Sequence, residues 1–154
     1  NQNFMRCEYQ VIVIPYIKES LGTKFLVMKR TDDENWQFIS GGGENSETPI
    51  DAAKREAIEE ANIETSNEFY ALDTIASIPK YHFREHRNKK DIYVIPEYSF
   101  AVRLNNYRIK LSGEHTDHKW ASYEEALSLL KYDSNKTALW ELMSRLEDNQ
   151  LTKL

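Results

Sequence analysis

Three glutamates lie close together in one short stretch of the chain, at positions 56, 59 and 60. A helix turns by about 100° per residue, so it would place Glu56, Glu59 and Glu60 within an arc of roughly 100° on one face. Carboxylates so close together repel one another, and their cluster is costly unless a cation lies among them. Oxygen ligands of this kind suit Mg²⁺, with Mn²⁺ as a substitute, and both ions bind phosphates. The sequence therefore predicts a metal site formed by these three residues.

A glycine triplet precedes these glutamates. Gly41, Gly42 and Gly43 allow positive φ and a close approach of the backbone to a phosphate or a metal ion. We expect Gly41 and Gly42 to contribute to substrate binding, while a flexible turn is the alternative. The next residue, Glu44, fits equally an additional metal ligand or a solvated loop carboxylate.

The helix that carries the glutamates is predicted over Pro49–Ala61. Thr48 is a favourable N-cap, proline suits the first helical position, and Asp51 lies in the first turn, where the helix dipole favours a carboxylate. The apolar residues of the helix share one stripe: Ile50, Ala53, Ala57 and Ala61. We expect this stripe to pack on a sheet and to hold the carboxylates at one edge of that sheet.

The segment from Gly41 to Ile63 resembles the Nudix box, G-x5-E-x7-R-E-U-x-E-E-x-G-U, where U is a bulky apolar residue. The residues that match in register without a gap are Gly41, Glu47, Arg55, Glu56, Glu59, Glu60 and Ile63. Two positions depart from the pattern, because Asn62 replaces the usual glycine and Ala57 is small for an apolar position. Asparagine adopts the left-handed conformation more readily than other non-glycine residues, so Asn62 can still end the helix.

The resemblance implies an α/β protein with the Nudix fold, in which a mixed β-sheet is sandwiched between helices. It also implies a pyrophosphohydrolase in which Glu56, Glu59 and Glu60 are both metal ligands and catalytic residues. The Arg55 guanidinium can pair bidentately with a carboxylate, and we expect it to clamp Glu47 and to fix the start of the helix. Without the box, a solvated acidic face would be the favoured interpretation.

Shorter motifs outside the box resemble bacterial dihydroneopterin triphosphate pyrophosphatases, over roughly Tyr9 to Leu146. These motifs are Lys29-Arg30, Asp32-Asp33, Trp36-Gln37, Glu114-His115, Lys119-Trp120 and Ser134-Asn135-Lys136. The resemblance implies a pterin triphosphate as substrate, cleaved to the monophosphate and pyrophosphate. A broader pyrophosphatase of nucleoside triphosphates or dinucleoside polyphosphates is the alternative. A non-catalytic nucleotide-binding Nudix-like module is a third hypothesis, and the intact carboxylates argue against it.

The general base comes from a box glutamate in some Nudix enzymes and from a distant loop in others. Glu114 is the distant candidate, because its surroundings resemble the corresponding loop of the pterin enzymes. It could act as the catalytic base or as a further metal ligand, and an exposed loop acid is the alternative. We expect His115 and His118 to face solvent or to form hydrogen bonds within a loop, since Mg²⁺ prefers oxygen ligands.

Several other residues are candidates for substrate binding. By the resemblance, Arg30 points toward the phosphates, while a charge at a strand end is the alternative. Trp36 is expected to form an aromatic wall for a base or pterin, with core packing as the alternative. Trp140 is expected in the core or in helix packing. The basic and aromatic segment 80–90 fits either a grip on the triphosphate and the ring or a solvated hairpin tip.

Composition limits the class of protein. With 154 residues the chain is long enough for one domain, predicted over 1–154. A net charge of −5 makes nucleic acid an improbable partner, and a small-molecule triphosphate is expected instead. No apolar run reaches the ~18 residues of a membrane-spanning helix, and no signal-peptide pattern opens the chain. Together with the single Cys7, this favours a cytoplasmic location. A homodimer is possible, although no residue specifies an interface.

The remaining elements follow from hydrophobic periodicity. Strands are predicted at Tyr9–Ile17, Lys24–Lys29, Trp36–Ile39, Tyr70–Ile78, Asp91–Leu104 and Lys119–Trp120. Pro15 suggests that the first of these is an edge strand or contains a bulge. Helices are predicted at Tyr123–Leu130, with Ser122 and Glu125 as a capping box, and around the apolar repeat Leu139, Leu142, Met143 and Leu146. Loops or ragged strand ends are expected at Tyr81–Lys90 and Asn105–Asp117.

Overall fold

The computed structural model describes residues 4–151, so the ends of the predicted domain, residues 1–3 and 152–154, lie outside the described residues. The strands are β1 (Arg6–Glu19), β2 (Gly22–Arg30), β3 (Trp36–Gln37), β4 (Ile39–Glu44), β5 (Glu68–Pro79), β6 (Val94–Arg103) and β7 (His115–Ala121). The helices are α1 (Pro49–Ala61), α2 (Tyr123–Leu129) and α3 (Asp133–Asp148), and a short 3₁₀ turn covers Lys80–His82. In residues 4–151 no helix is both long and apolar enough to cross a membrane.

The strands form one mixed sheet with the order β3-β2-β1-β6-β5, while β4 pairs with β1 and β7 pairs with β2. Strands β1 and β6 run parallel, and the other pairs are antiparallel. Gln10 of β1 lies opposite Gly42 of β4 on one side and opposite Glu97 of β6 on the other. β1 therefore fixes the glycine strand relative to β6.

Helices cover both faces of the sheet. Val11 and Val13 of β1 belong to the cluster that packs under α1, whereas Ile12 and Ile14 belong to the cluster under α2 and α3. This alternation follows from the two-residue period of a strand. The expected α/β architecture, a mixed sheet between helices, is confirmed.

Helix α1 begins and ends at the predicted residues. Thr48 caps its first turn, and the backbone N–H of Thr48 donates to the Asp51 carboxylate at 3.1 Å. At the other end Asn62 adopts the left-handed conformation, with φ 56° and ψ 38°, and its N–H donates to the Ile58 carbonyl at 2.9 Å. The residue that replaces the usual glycine of the box thus ends the helix as predicted.

Two sequence predictions about the fold need correction. Pro15 lies inside the sheet, opposite Val102 of β6, so β1 is not an edge strand here. The strand does contain a register shift against β4, but between Arg6 and Gln10 and not at Pro15. The other neighbour of β1 changes from β4 to β2 between Val13 and Tyr16, so the missing N–H of Pro15 falls between two ladders. Trp140 is 59% exposed, because it lies on the face of α3 that is turned away from the core.

Glu141 of α3 joins this helix to β5 at the end of the strand order. Its carboxylate accepts hydrogen bonds from the backbone N–H groups of Asp73 and Thr74 at 2.6 and 2.8 Å. The Thr74 hydroxyl and the Arg145 Nε also donate to it, at 2.5 and 2.7 Å. These residues lie in a register shift between Ala71 and Ile75, where the ladder to β6 is interrupted. The carboxylate thus satisfies strand donors at this shift.

We predict that Glu141→Gln destabilises the protein by roughly 1–3 kcal/mol, because a charged acceptor of several hydrogen bonds is lost. Burial alone would raise the pKa of Glu141, but the hydrogen bonds from Thr74, Asp73 and Arg145 outweigh it and lower the pKa. A lowered pKa in the folded state stabilises the protein above the unfolded-state pKa, and this stability is lost as the pH falls through the folded-state pKa.

Urea unfolding from neutral to acidic pH measures this effect, with Glu147→Gln as the matched control on the exposed face of the same helix. The difference between wild type and Glu141→Gln should shrink as the pH falls. An equal loss of stability at all pH values, or an equal loss in Glu147→Gln, would contradict the prediction.

Candidate active site

The guanidinium of Arg55 is the centre of the polar contacts around the box. It pairs bidentately with Glu47, through Nε at 2.7 Å and Nη2 at 3.1 Å. Nη1 donates to the carboxylates of Glu56 at 2.7 Å and Glu59 at 3.0 Å, and Nη2 donates to the Gly42 carbonyl at 2.9 Å. The predicted clamp between Arg55 and Glu47 is confirmed. It joins helix α1, the loop before it and strand β4.

The glycine strand fits this arrangement because its residues lack side chains. A Cβ on Gly41 would overlap the Glu56 carboxylate, and one on Gly43 would overlap the Tyr9 ring. None of the three glycines of β4 has a positive φ, so the expected use of their conformational freedom is wrong. They are needed because the strand approaches neighbouring side chains closely.

Two of the box carboxylates are buried. Glu56 is 8% exposed and Glu60 is 2% exposed, and burial raises the pKa of both. The proximity of Glu60 raises the pKa of Glu56 further. Oε2 of Glu60 has no hydrogen-bond partner among residues 4–151. A buried carboxylate oxygen without a donor is suited to a cation, which would favour the charged form.

The histidine that follows Glu114 corrects an expectation from the sequence. His115 lies in β7, not in a loop, and it is buried rather than exposed to solvent. Its Nε2 lies 2.8 Å from Oε1 of Glu60. Burial lowers the pKa of His115, so the ring is neutral and can donate from Nε2 to the carboxylate. This contact orients Glu60 and leaves Oε2 for another ligand.

The groups that could hold a cation differ in part from the predicted set. Glu60, Glu114 and His115 each offer one ligand atom, and these atoms lie within 4.8 Å of one another. Glu56 and Glu59 instead share Nη1 of Arg55. The donors are mostly carboxylate oxygens, and such a set fits Mg²⁺ or Mn²⁺. Glu114, predicted from a short motif, lies beside the box.

A cavity of about 980 Å³ opens next to these residues. Six of the predicted site residues line it: Arg30, Gly41, Gly42, Glu56, Glu59 and Glu114. Arg30 pairs bidentately with Asp32, through Nε and Nη2 at 2.8 Å each, which holds its guanidinium at the cavity wall. The volume is typical of a pocket for a small molecule.

Trp36 does not form the aromatic wall that the sequence suggested. It packs against the core cluster under α2 and α3, forms a bridge to Leu130 and lies outside the cavity lining. The next residue, Gln37, lines the cavity. Successive residues of a strand point to opposite faces, so a difference of one position decides which side chain meets a ligand.

Part of the segment 80–90 reaches the cavity. His82, Phe83 and Glu85 line it, whereas Lys89 points to Glu8 with a contact of 2.9 Å. None of the lysines and arginines of the segment lines the cavity. The grip of this segment on a triphosphate stays a prediction.

Sequence reasoning missed Glu97. This residue is buried in β6 and lines the cavity. A signal was present, because a single carboxylate interrupts the apolar run from Val94 to Val102. A charged residue in a strand that is otherwise suited to the core often has a specific partner.

Comparison with known proteins agrees with this geometry. The NUDIX domain family model matches residues 9–143. The chain belongs to the Nudix family. A dihydroneopterin triphosphate diphosphatase from Haemophilus influenzae is 30% identical over 151 residues, covering 93% of this chain and 94% of that protein. The family and this relative make the protein a Nudix hydrolase of the pyrophosphohydrolase class.

Two further comparisons cover most of the chain. The crystal structure of a candidate NUDIX hydrolase from Listeria monocytogenes is 47% identical, with a TM-score of 0.86, and the match covers 95% of this chain and 99% of that one. An asymmetrical bis(5′-nucleosyl)-tetraphosphatase from Mus musculus is 29% identical over 119 residues, which is 77% of each protein.

We predict that Gly41→Ala lowers kcat of this Nudix hydrolase about 100-fold, because the new Cβ displaces the Glu56 carboxylate. Steady-state kinetics with excess Mg²⁺ measure the effect. Gly113→Ala is the matched control, since its Cβ would meet no atom within 4 Å. If both variants retained wild-type kcat, the close approach of β4 to Glu56 would be unimportant for turnover.

Proposed function

We propose that this Nudix hydrolase is a Mg²⁺-dependent enzyme that cleaves dihydroneopterin triphosphate to the monophosphate and pyrophosphate. The observation that carries the proposal is the placement of Glu56, Glu59 and Glu114 on the wall of a cavity of about 980 Å³, a volume typical of small-molecule sites. The Haemophilus influenzae relative, matched over almost its whole length, supports the choice of substrate.

Each part of the site has a role in this proposal. Glu60 would hold the cation together with Glu56 and Glu59, as the box implies. Such an ion would supply charge that offsets the phosphate charge and lowers the pKa of a water nucleophile. Arg30 binds phosphate oxygens at the cavity wall. Glu114 is assigned as the base that accepts the proton of the attacking water. Its position in the cavity lining, with an oxygen within 4.8 Å of a Glu60 oxygen, supports this assignment.

Arg55 acts through the other residues. It holds Glu47 and the Gly42 carbonyl, so the start of α1 and the glycine strand keep their positions when substrate enters. It also balances the charges of Glu56 and Glu59, which lie against the same nitrogen. Both carboxylates would also be within the set of residues that the box assigns to a cation.

A second candidate function is the hydrolysis of dinucleoside polyphosphates. The mouse relative, which bears the name of a tetraphosphatase, favours it at almost the same identity as the bacterial one. The two candidates share the metal chemistry and differ in the group that occupies the end of the cavity away from the box.

The metal requirement is tested by pyrophosphate release with Mg²⁺ present or chelated. We predict that release stops in excess chelator and returns with Mg²⁺ or Mn²⁺. Glu60→Gln should lower kcat at least about 100-fold, because one preorganised charged ligand is lost. Glu64→Gln, an exposed glutamate just beyond the end of α1, is the matched control. Full activity in chelator would rule out the metal role.

The substrate is tested with a panel that contains dihydroneopterin triphosphate, the common nucleoside triphosphates and a dinucleoside tetraphosphate. We predict that kcat/KM is highest for the pterin by at least about tenfold, since only a matched ring occupies the cavity fully. A preference for a dinucleoside tetraphosphate would keep the hydrolase and change its substrate. Tight binding of these compounds without turnover would instead favour a binding module.

Three expectations from the sequence stay predictions: a single domain over 1–154, a possible homodimer and a cytoplasmic location. Light scattering of the purified protein measures the oligomeric state, and fractionation of the source cells measures the location. Among the partners, a small-molecule triphosphate is the one that this proposal requires.

A further inference from the structure

Glu97 is a buried carboxylate that takes part in none of the contacts described above for the box. It is 9% exposed and lines the cavity from strand β6. Its Oε1 has no hydrogen-bond partner in the part of the chain that the structure describes. Burial raises the pKa of Glu97, and a hydrogen bond from Ser134 opposes this effect only in part. A carboxylate in this state gains from any donor that enters the cavity.

The sheet fixes the distance of this carboxylate from the box. Gln10 of β1 lies between Gly42 of β4 and Glu97 of β6 in the register of the sheet. Neighbouring strands are about 4.8 Å apart, so Gly42 and Glu97 are separated by about 10 Å. In the proposed function the triphosphate binds at the glycine strand and the box, which would leave Glu97 facing the part of the substrate that carries no phosphate.

The lining around Glu97 suits a flat ring. Ile12, Ile78 and Phe83 line the same cavity and supply apolar surface. Ser134 lies at the start of α3 and adds a hydroxyl. An apolar slot with one acceptor group at its wall binds a heterocycle through its faces and selects it through its edge.

We propose that Glu97 is a specificity-determining residue that accepts two parallel hydrogen bonds from the 2-amino-4-oxo edge of a pterin or guanine ring. This edge presents a ring N–H beside an exocyclic amino group, and an ionised carboxylate accepts from both. An adenine ring or a 2,4-dioxo ring lacks this pair of donors. The inference rests on the proposed function and names the chemical feature by which its substrate is selected.

The test compares the binding of pterin with that of lumazine, which has an oxo group in place of the 2-amino group. Ligand-observed NMR titration measures both dissociation constants without catalysis and detects weak binding. We expect wild type to bind pterin about 10- to 100-fold more tightly than lumazine, as a pair of hydrogen bonds to a charged group requires. Glu97→Gln should bring the two constants close together.

Two control variants separate recognition from folding. Glu85→Gln removes another carboxylate of the cavity lining, an exposed one, and should leave the preference for pterin unchanged. Glu97→Asp retains the charge and should keep part of the preference. Thermal unfolding of all variants shows whether they fold. An unaltered preference in folded Glu97→Gln, or wild type that does not distinguish the two rings, would overturn the inference.

Kinetics separate this inference from the proposed function. In Glu97→Gln, KM for dihydroneopterin triphosphate should rise about 10-fold or more while kcat changes little, and KM for dATP should stay the same. If wild type hydrolysed no pterin substrate but bound pterin through Glu97, the proposed function would fail and the inference would stand. If it hydrolysed the pterin and Glu97→Gln had the same KM, only the inference would fail.

Discussion

The guanidinium of Arg55 is the contact on which the arrangement of the site depends. Carboxylates of a loop and a helix and a carbonyl of an edge strand all meet this one group. Arginine suits this position because its donors form a fixed planar fork and its charge persists at every physiological pH. A lysine could neutralise the same charge but could not hold several acceptors in defined directions. The geometry of α1 relative to β4 follows from this choice of residue.

Small residues make this geometry possible on the other side of the helix. Ala53, Ala57 and Ala61 are fully buried, so α1 lies close to the sheet. The glycines of β4 complete the close approach, and the carboxylate of Glu56 occupies space that a side chain of the strand would otherwise fill. This burial removes water from Glu56 and Glu60, so their charged forms need a hydrogen-bond donor or a positive charge nearby. The packing thus prepares the carboxylates for a cation.

The sequence is most informative about features that depend on residues close together along the chain. Helix α1, its caps and the clamp between Arg55 and Glu47 all involve residues within a few turns of one another, and one-dimensional spacing determines them. His115, Glu97 and the role of Glu141 could not be predicted in this way. Each depends on strand pairing or on packing between distant segments.

The tryptophans illustrate the same limit. Both Trp36 and Trp140 are large aromatic residues near apolar positions, and residue type with position along the chain leaves more than one environment open for each. In the structure Trp36 packs on the core and Trp140 is exposed. The outcome depends on which face of a strand or helix each residue occupies, and a shift of one position reverses it. Such a shift leaves the fold class unchanged, but it changes which side chains line a cavity.

The pairing of strand β1 sets the distance between two walls of the cavity. Because Gln10 lies between β4 and β6, the span between the glycine strand and the buried wall of the cavity is set by hydrogen-bonded backbone and not by mobile side chains. Rotation of a side chain cannot change this separation of about 10 Å. A molecule that contacts both walls of the cavity must therefore match a length that the backbone register of three strands determines.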